Sequence, residues 1–389
     1  MKSNKNIPLE VYQSRRYFDR ICSFMFSEFI PESKWKILNE LKLSVYPIIM
    51  FYMVYCIIYS LFVGEATSSP TKLSYLIVYF GGGYQALAKY ILYRIHMEDL
   101  EEIRNFMTNL KGSLKDSDMI SDIRREQLPK ALQFSIRFVK SFLATSMIGG
   151  HFIFVSNSFS TNFECPLMFQ LAHIPLSHDT WQYRVLSTGF HYICFIVLII
   201  VLVGPDLILS IMVGYIDGEL RTIKEVVGKL NDPEVARKQS NEILRSTYFL
   251  HIRINDIMTN LRNILWQMSI HILVSNFIFI CMTFFITRFL SPSLVSVFSL
   301  MNVVFQLVII SINSQTLLNK TEEFADALWM TSWYEMCVKD QKIFLIILNM
   351  AQRRKGIEAS GVSTISVNTL VQILKSSLTY AAFLYTLIT

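Results

Sequence analysis

Residues 192–203 read YICFIVLIIVLV. A helix built from them has no polar face, so it cannot lie on the surface of a soluble domain with one side in water. The run sits inside a longer apolar segment, 184–213. Six more such segments accompany it, at 43–63, 73–93, 131–156, 265–290, 294–318 and 364–388. Each reaches the roughly 20 residues that carry a helix across about 30 Å of hydrocarbon. Lipid offers the backbone no hydrogen-bond partner, so helices are the expected form of every segment. The composition agrees: 52% of residues are hydrophobic, 17% are charged and the mean hydropathy is +0.39. A soluble domain carries about 25% charged residues. The expected fold is therefore an all-α membrane protein with seven transmembrane helices.

The polar stretches between the segments differ sharply in charge. The leader 1–42 holds eight Lys and Arg residues, 94–130 holds seven, 214–264 holds eight and 319–363 holds six. The remaining connections hold one each: Lys72, Arg184 and Arg288. Basic connections stay on the cytoplasmic side. The N-terminus is thus expected in the cytosol and, after seven crossings, the C-terminus outside. A G-protein-coupled receptor has the opposite orientation. The leader is polar and the first apolar run is too long for a signal-peptide core, so no cleavable signal is expected. The net charge of +6 suits loops beside an anionic leaflet and gives no reason to expect nucleic acid.

The cytoplasmic stretches read as helices. Ile216, Leu220, Ile223 and Val227 continue segment four at steps of three or four until Gly228 and the Asn231-Asp232-Pro233 turn. Ile243, Thr247, Leu250, Ile254, Ile257, Leu261 and Ile264 then form a seam with a period near 3.5 residues that runs into segment five. Segment six extends through Leu317, Phe324, Ala327 and Leu328, and 339–350 presents Ile343, Ile346, Ile347 and Met350 on one face. These pieces should bundle beneath the membrane, either as an anchor between subunits or as a monomer's own intracellular bundle. Arg245, Arg253 and Arg262 could alternatively mark a calmodulin target, but packing already explains the stripe.

No catalytic motif is present, no cofactor is implied and the chain is not read as an enzyme. His173 and His178 lie on an irregular outer loop with too few companions for a metal site. Cys165 in that loop either bonds Cys194 or both remain free thiols. The sequon at Asn319 falls on the cytoplasmic side and should carry no glycan. Gly81-Gly82-Gly83 inside segment two suggests a close helix contact or a bend. Lys89, Arg137 and Lys140 lie near inner segment ends, where snorkelling to the headgroups accounts for them. Lys375 lies midway along segment seven. There Ser363, Ser366, Thr369, Gln372, Ser376 and Thr379 form a polar stripe that continues as Phe383 and Leu387. Such a face reads either as a pore vestibule with an apolar gate or as interhelical hydrogen bonding.

The C-terminal third resembles the insect odorant receptor family. The resemblance is carried by Ala325, Trp333-Tyr334, Arg353-Arg354-Lys355, Ala359 and Gly361, then Ser366, Thr369, Lys375-Ser376-Ser377, Thr379-Tyr380 and Leu384. Gustatory receptors share the T-Y ending but follow it with Q-F, where this chain has Thr386 and Leu387. The stretch 214–264 is too short for the family's co-receptor, so the chain is similar to a ligand-tuned subunit. The resemblance implies a ligand-gated, non-selective cation channel. Co-receptor subunits complete a heterotetramer in the plasma membrane of a sensory dendrite, among membrane lipids. It implies a leader over 1–42, helices one to four with an outer ligand pocket over 43–213 and an anchor over 214–264. Helices five and six follow over 265–318, an anchor helix over 319–363 and a pore-lining helix over 364–389. The pore and gate positions are Gln372, Ser376, Thr379, Phe383 and Leu387. Phe383 is bulkier than the aliphatic residue usual there. The pocket would lie in the outer halves of segments two, three, four and six and take a small volatile. Its candidates are Tyr79, Phe80, Tyr84, Ser146, Gly150, Phe154, Phe190, Tyr192, Ile196, Phe298, Asn302 and Phe305. The alternatives are a gustatory-type subunit, a metabotropic receptor and a transporter.

Overall fold

The computed structural model describes residues 8–26, 36–62, 70–113, 119–160, 162–163, 169–173, 180–290, 294–353, 355–359, 361 and 363–388. At 36–44, 70–71, 110–113, 160, 289–290, 294–295, 298 and 387–388 it describes the backbone alone. Among the described residues there are ten α-helices: α1 (Leu9–Met25), α2 (Lys36–Phe62), α3 (Pro70–Ile95), α4 (Met97–Ser113), α5 (Met119–Ser160), α6 (Trp181–Gly228), α7 (Pro233–Phe285), α8 (Leu294–Trp329), α9 (Val338–Ala351) and α10 (Val367–Ile388). Two short antiparallel strands, β1 (Glu358–Ala359) and β2 (Ser363–Thr364), form a hairpin before α10, with Ala359 opposite Ser363. Gly361 turns the hairpin at φ +71°, a left-handed conformation that costs other residues about 1–2 kcal/mol.

The bulk of each of the seven apolar segments is carried by one helix: α2, α3, α5, α6, α7, α8 and α10, with segment five finishing in the π-helical turn Ile286–Leu290 and segment seven starting in β2. Among the described residues, α2, α5, α6, α7 and α8 contain stretches long and apolar enough to cross a membrane. Glycines, tyrosines and Lys89 dilute α3 below that level, and the polar stripe dilutes α10.

Helix α6 occupies the centre. From Val203 to Leu220 every residue is buried, so five turns are walled in on all sides. Small residues let the walls approach. A Cβ on Gly204 would sit 2.8 Å from Met25 Sδ of α1, and one on Gly218 would sit 2.5 Å from Leu128 of α5. The polar groups on this buried stretch are matched one by one. Arg124 of α5 forks onto Glu219, with Nε and Nη2 at 2.6 and 3.0 Å from the carboxylate oxygens. Asn313 Nδ2 of α8 donates to Ser210 Oγ at 2.9 Å. Tyr215 Oη lies 3.1 Å from Ser14 Oγ of α1.

The extensions form as the periodicity predicts. Ile216, Leu220, Ile223 and Val227 are buried, and so are Ile243, Thr247, Ile254, Ile257, Leu261 and Ile264 of the α7 seam. Asp232 caps α7 by accepting from Glu234 N at 2.9 Å, with Pro233 at the first helical position. Gly81 and Gly83 mark close helix contacts. Added Cβ atoms would meet Phe279 at 2.7 Å and Met53 at 3.0 Å.

Three expectations need correction, and the leader gains a helix. Lys89 does not snorkel. It is 1% exposed, and its Nζ lies 2.8 and 2.7 Å from the two carboxylate oxygens of Asp206 on α6. It faces the bundle, where an acid awaits it, whereas Arg137 and Lys140 are exposed. In the leader, α1 buries Val11, Ser14, Phe18, Cys22 and Met25 against the bundle. On α9 the buried face is Phe344, Ile347, Leu348 and Ala351, and Ile346 is exposed. The polar stripe of segment seven begins later than expected. Ser363 lies in β2, and Ser366 accepts from Thr369 N at 3.4 Å ahead of α10.

His173 packs against the helices: its Nε2 lies 2.7 Å from Tyr55 Oη. Cys165 and His178 lie outside the described residues, and Cys194 is a buried free thiol.

Lys89→Met should destabilise the fold by about 3–5 kcal/mol, because Asp206 is left buried and uncompensated. The double change Lys89→Met with Asp206→Leu should recover most of that loss, and thermal unfolding in detergent reads both. A second test concerns His251 on α7, whose pKa is pushed down to about 4 by burial and then by Lys355. The fold holds the neutral ring, while the unfolded chain takes up a proton near pH 6.5. The stabilisation is complete above about pH 6.5 and is lost as pH falls toward 4, by at most roughly 3 kcal/mol. His251→Leu should flatten stability across that window.

Candidate ligand-binding site

Five helices leave a cavity of about 180 Å³ between them. An engineered cavity of about 150 Å³ is enough to bind benzene. Tyr75, Tyr79 and Gly82 of α3 line it at helical steps, as do Phe142, Ser146, Gly150 and Phe154 of α5. Phe195, Leu198, Ile199 and Leu202 of α6 form the facing stripe, and α8 adds Asn302, Val303 and Gln306. Phe279 and Thr283 come from α7, and Ile286 from the π-helical turn Ile286–Leu290 that ends it. The space exists because small residues face large ones. Gly150 brings α5 onto α6, where a Cβ would lie 2.8 Å from Phe195.

The wall is mostly aliphatic and aromatic, with a few polar groups. At one end Asn157 Nδ2 donates to Tyr79 Oη at 3.1 Å. At the other, Gln306 Nε2 donates to Asp206 Oδ2 at 3.0 Å. The cavity floor therefore rests on the Lys89–Asp206 pair. Two further hydroxyls, Ser146 Oγ and Thr283 Oγ1, are buried and find no hydrogen-bond partner in the protein. A buried polar group left alone costs about 1–3 kcal/mol, and both of these line the cavity. They can donate to or accept from a polar atom of an enclosed molecule.

Of the twelve positions expected from sequence, the structure brings Tyr79, Ser146, Gly150, Phe154 and Asn302 to this cavity. Phe305 backs it, with its ring 5.2 Å from that of Phe142. Tyr192 meets Phe154 edge-on at 5.4 Å, and Ile196 packs beside Phe154 and Phe195. Phe190 meets Tyr52 instead, 5.2 Å away. Phe80 and Tyr84 lie on the exposed side of α3, and Tyr84 Oη bonds His271 Nδ1 at 2.7 Å. The side chain of Phe298 lies outside the described residues. Sequence reasoning missed Phe195, Phe279, Thr283 and Gln306. The α6 stripe at 195, 198, 199 and 202 has helical spacing, but in a run apolar on every side that spacing carries no signal.

On α10, Ser377 and Ala381 are buried against α7, and Ser377 Oγ donates to Phe277 O at 3.4 Å. Gln372, Ser376, Thr379 and Phe383 are exposed and face away from that contact. The side chain of Leu387 lies outside the described residues.

Residues 69–378 match the family described as 7tm Odorant receptor. Among solved structures, the chain is similar to the insect olfactory receptor OR5 from Machilis hrabei in complex with eugenol. The TM-score is 0.77 at 14% identity, over 97% of this chain and 97% of that one. It is also similar to a second structure of the insect olfactory receptor OR5 from Machilis hrabei, with a TM-score of 0.72 at 13% identity over 96% and 97% of the two chains. No curated protein sequence matches it. The chain belongs to the odorant receptor family; it is a multi-pass membrane receptor and not an enzyme.

Because neither hydroxyl has a partner inside the protein, Ser146→Ala and Thr283→Val should leave the unliganded protein as stable as before or up to about 2 kcal/mol more stable. Thermal unfolding measures this. A drop in Tm for both would mean that each hydroxyl has a partner inside the protein.

Proposed function

We propose that this odorant receptor is the ligand-tuned subunit of a heteromeric, ligand-gated, non-selective cation channel. A small volatile enters the cavity between α3, α5, α6, α7 and α8, and α10 lines the pore. One observation carries the reading: a largely apolar cavity between five helices holds two hydroxyls that have no partner in the protein. Ligand sites combine apolar walls with a few such placed polar groups. The occupant is then a compact, largely hydrocarbon molecule with one or two hydroxyl, carbonyl or ether oxygens. OR5 from Machilis hrabei was captured with eugenol, which is of that kind.

The polar face of α10 supports a pore role. Gln372, Ser376, Thr379 and Phe383 are exposed on a helix whose opposite face is packed. A wet face turned from its own chain fits a shared axis, with Phe383 and Leu387 as an apolar constriction that closes by dewetting. Val338, Leu345 and Ile346 of α9 are exposed apolar residues, and they suit an anchor contact between subunits. The charge asymmetry of the connections supports seven crossings, a cytosolic N-terminus and an outside C-terminus in the plasma membrane. Co-receptor subunits complete the tetramer. Ligand binding opens the pore only as far as the ligand prefers the open arrangement.

The test is current in cells that co-express the chain with a co-receptor, across matched volatiles with and without an oxygen. Ser146→Ala together with Thr283→Val should weaken oxygenated agonists about fivefold to fiftyfold, at about 1 kcal/mol per hydrogen bond, and leave hydrocarbons unchanged. Leu387→Ala should raise basal current or alter ion selectivity. Equal effects on oxygenated and hydrocarbon ligands would overturn the cavity assignment, and unaltered gating and selectivity in Leu387→Ala would overturn the pore assignment.

A further inference from the structure

A second, chemically different pair of hollows lies away from the ligand cavity, where the α7 extension meets the chain between α9 and the hairpin. The two measure about 370 and 400 Å³ and share Arg262 and Glu358 in their walls. Arg353 and Lys355 line the first, and His96 and Trp266 line the second. Three cations thus converge from two separate stretches of chain. Among the described residues none of Arg262, Arg353 and Lys355 forms an ion pair. Lys355 Nζ has a neutral partner, Asn255 Oδ1, at 2.9 Å. The crowding is visible in its protonation. The Lys355 ammonium is held below the usual lysine value by burial first and then by Arg262 and Arg353, with only Asp256 acting against them. Like charges gathered around an open hollow are relieved when an anion fills it.

The surroundings say what kind of anion. Arg262 immediately precedes the apolar run of α7, and Trp266, 42% exposed, stands one turn further on. An exposed tryptophan at the start of an apolar run marks headgroup depth. Basic clusters beside a membrane-spanning helix attract the anionic lipids of the cytoplasmic leaflet. Arginine forks suit phosphate oxygens, and lysine adds a compact charge. Glu358, in both walls, offsets one of the three cations; a phosphomonoester, with close to two negative charges, answers the remaining two, whereas a phosphodiester answers one.

We propose that the hollows walled by Arg262, Arg353 and Lys355 bind a phosphomonoester-bearing anion, with Trp266 at their rim. The bound group bridges α7 to the segment that runs through β1 and β2 into α10. Its occupancy therefore stiffens the connection at the foot of α10, at a site separate from the odorant cavity. The assignment of this side to the inner leaflet rests on the orientation proposed above; the site itself does not.

The test uses the full-length chain purified in detergent, with no odorant and no current measurement. One arm adds soluble inositol trisphosphate. The other reconstitutes the chain in nanodiscs that contain phosphatidylinositol bisphosphate, against nanodiscs matched in surface charge with phosphatidylserine. The readouts are tryptophan fluorescence and the shift in Tm. Saturable binding is expected in at least one arm, at least tenfold weaker in the Arg262→Gln, Arg353→Gln double variant, whose unliganded Tm is unchanged. Binding in both arms identifies the phosphomonoester as sufficient, and binding in nanodiscs alone identifies the lipid as the source. Binding in neither arm, equal binding to phosphatidylserine, or full binding by the double variant would overturn the proposal. None of these outcomes depends on whether the chain conducts or responds to a volatile.

Discussion

One helix buried on all sides organises this molecule. From Val203 to Leu220, α6 presents no face to solvent, so α1, α5 and α8 must each contribute a surface that fits it. That demand explains features far apart in sequence. Gly204 and Gly218 stand where α1 and α5 come closest. Ser210 and Glu219 meet Asn313 and Arg124. Asp206 follows Pro205, which donates no backbone hydrogen bond. Nearby, Lys89 reaches across from α3 to both the Asp206 carboxylate and the Leu202 carbonyl at 2.8 Å. A bare carboxylate at this depth would cost several kcal/mol. The cation supplied by α3 therefore fixes how α3 and α6 are placed against each other.

The ligand cavity is the place where the same packing is deliberately incomplete. Ser146 and Gly150 on α5 and Gly82 on α3 remove volume, while Phe142, Phe195 and Phe279 keep the walls apart. Stability alone would fill the space and remove its orphaned hydroxyls. Retaining both is a local cost of the kind that marks functional sites. Gln306 joins the cavity to the ion pair beneath it, so the polar floor is held by a fully buried network while the rest of the wall is mostly apolar.

How much of this was legible depended on the kind of signal. The cytoplasmic seam from Ile243 to Ile264 could be read residue by residue, because polar residues on the outer face of α7 give its period contrast. The YICFIVLIIVLV stretch offers no such contrast. Membrane burial is plain there, yet the facing of the helix is hidden, and nothing in the run separates Phe195, which lines the cavity, from Tyr192, which does not. α1 carries a readable stripe at Val11, Ser14, Phe18, Cys22 and Met25, but arginines at 15, 16 and 20 drew attention to charge instead of periodicity. Lys89 was visible as an intramembrane cation. Its partner was not, because Asp206 lies over a hundred residues away and only the fold brings the two together.

α8 touches both the cavity and the foot of α10. Asn302 and Gln306 line the cavity. Two turns further along, Asn313 bonds α6, and Ser314 Oγ accepts from Ile357 N at 3.0 Å and donates to Ile365 O at 2.6 Å. A single serine thus clasps both sides of the hairpin that precedes α10. Along a rigid helix, the distance from Gln306 to Ser314 is about 12 Å. A ligand that displaces the α8 wall must either move this clasp or strain the helix between them. Packed interiors favour the first, because they shift between discrete arrangements instead of deforming smoothly. Spatial continuity does not by itself establish coupling. It does identify the joint at which the positions of the cavity wall and the pore helix have to be reconciled.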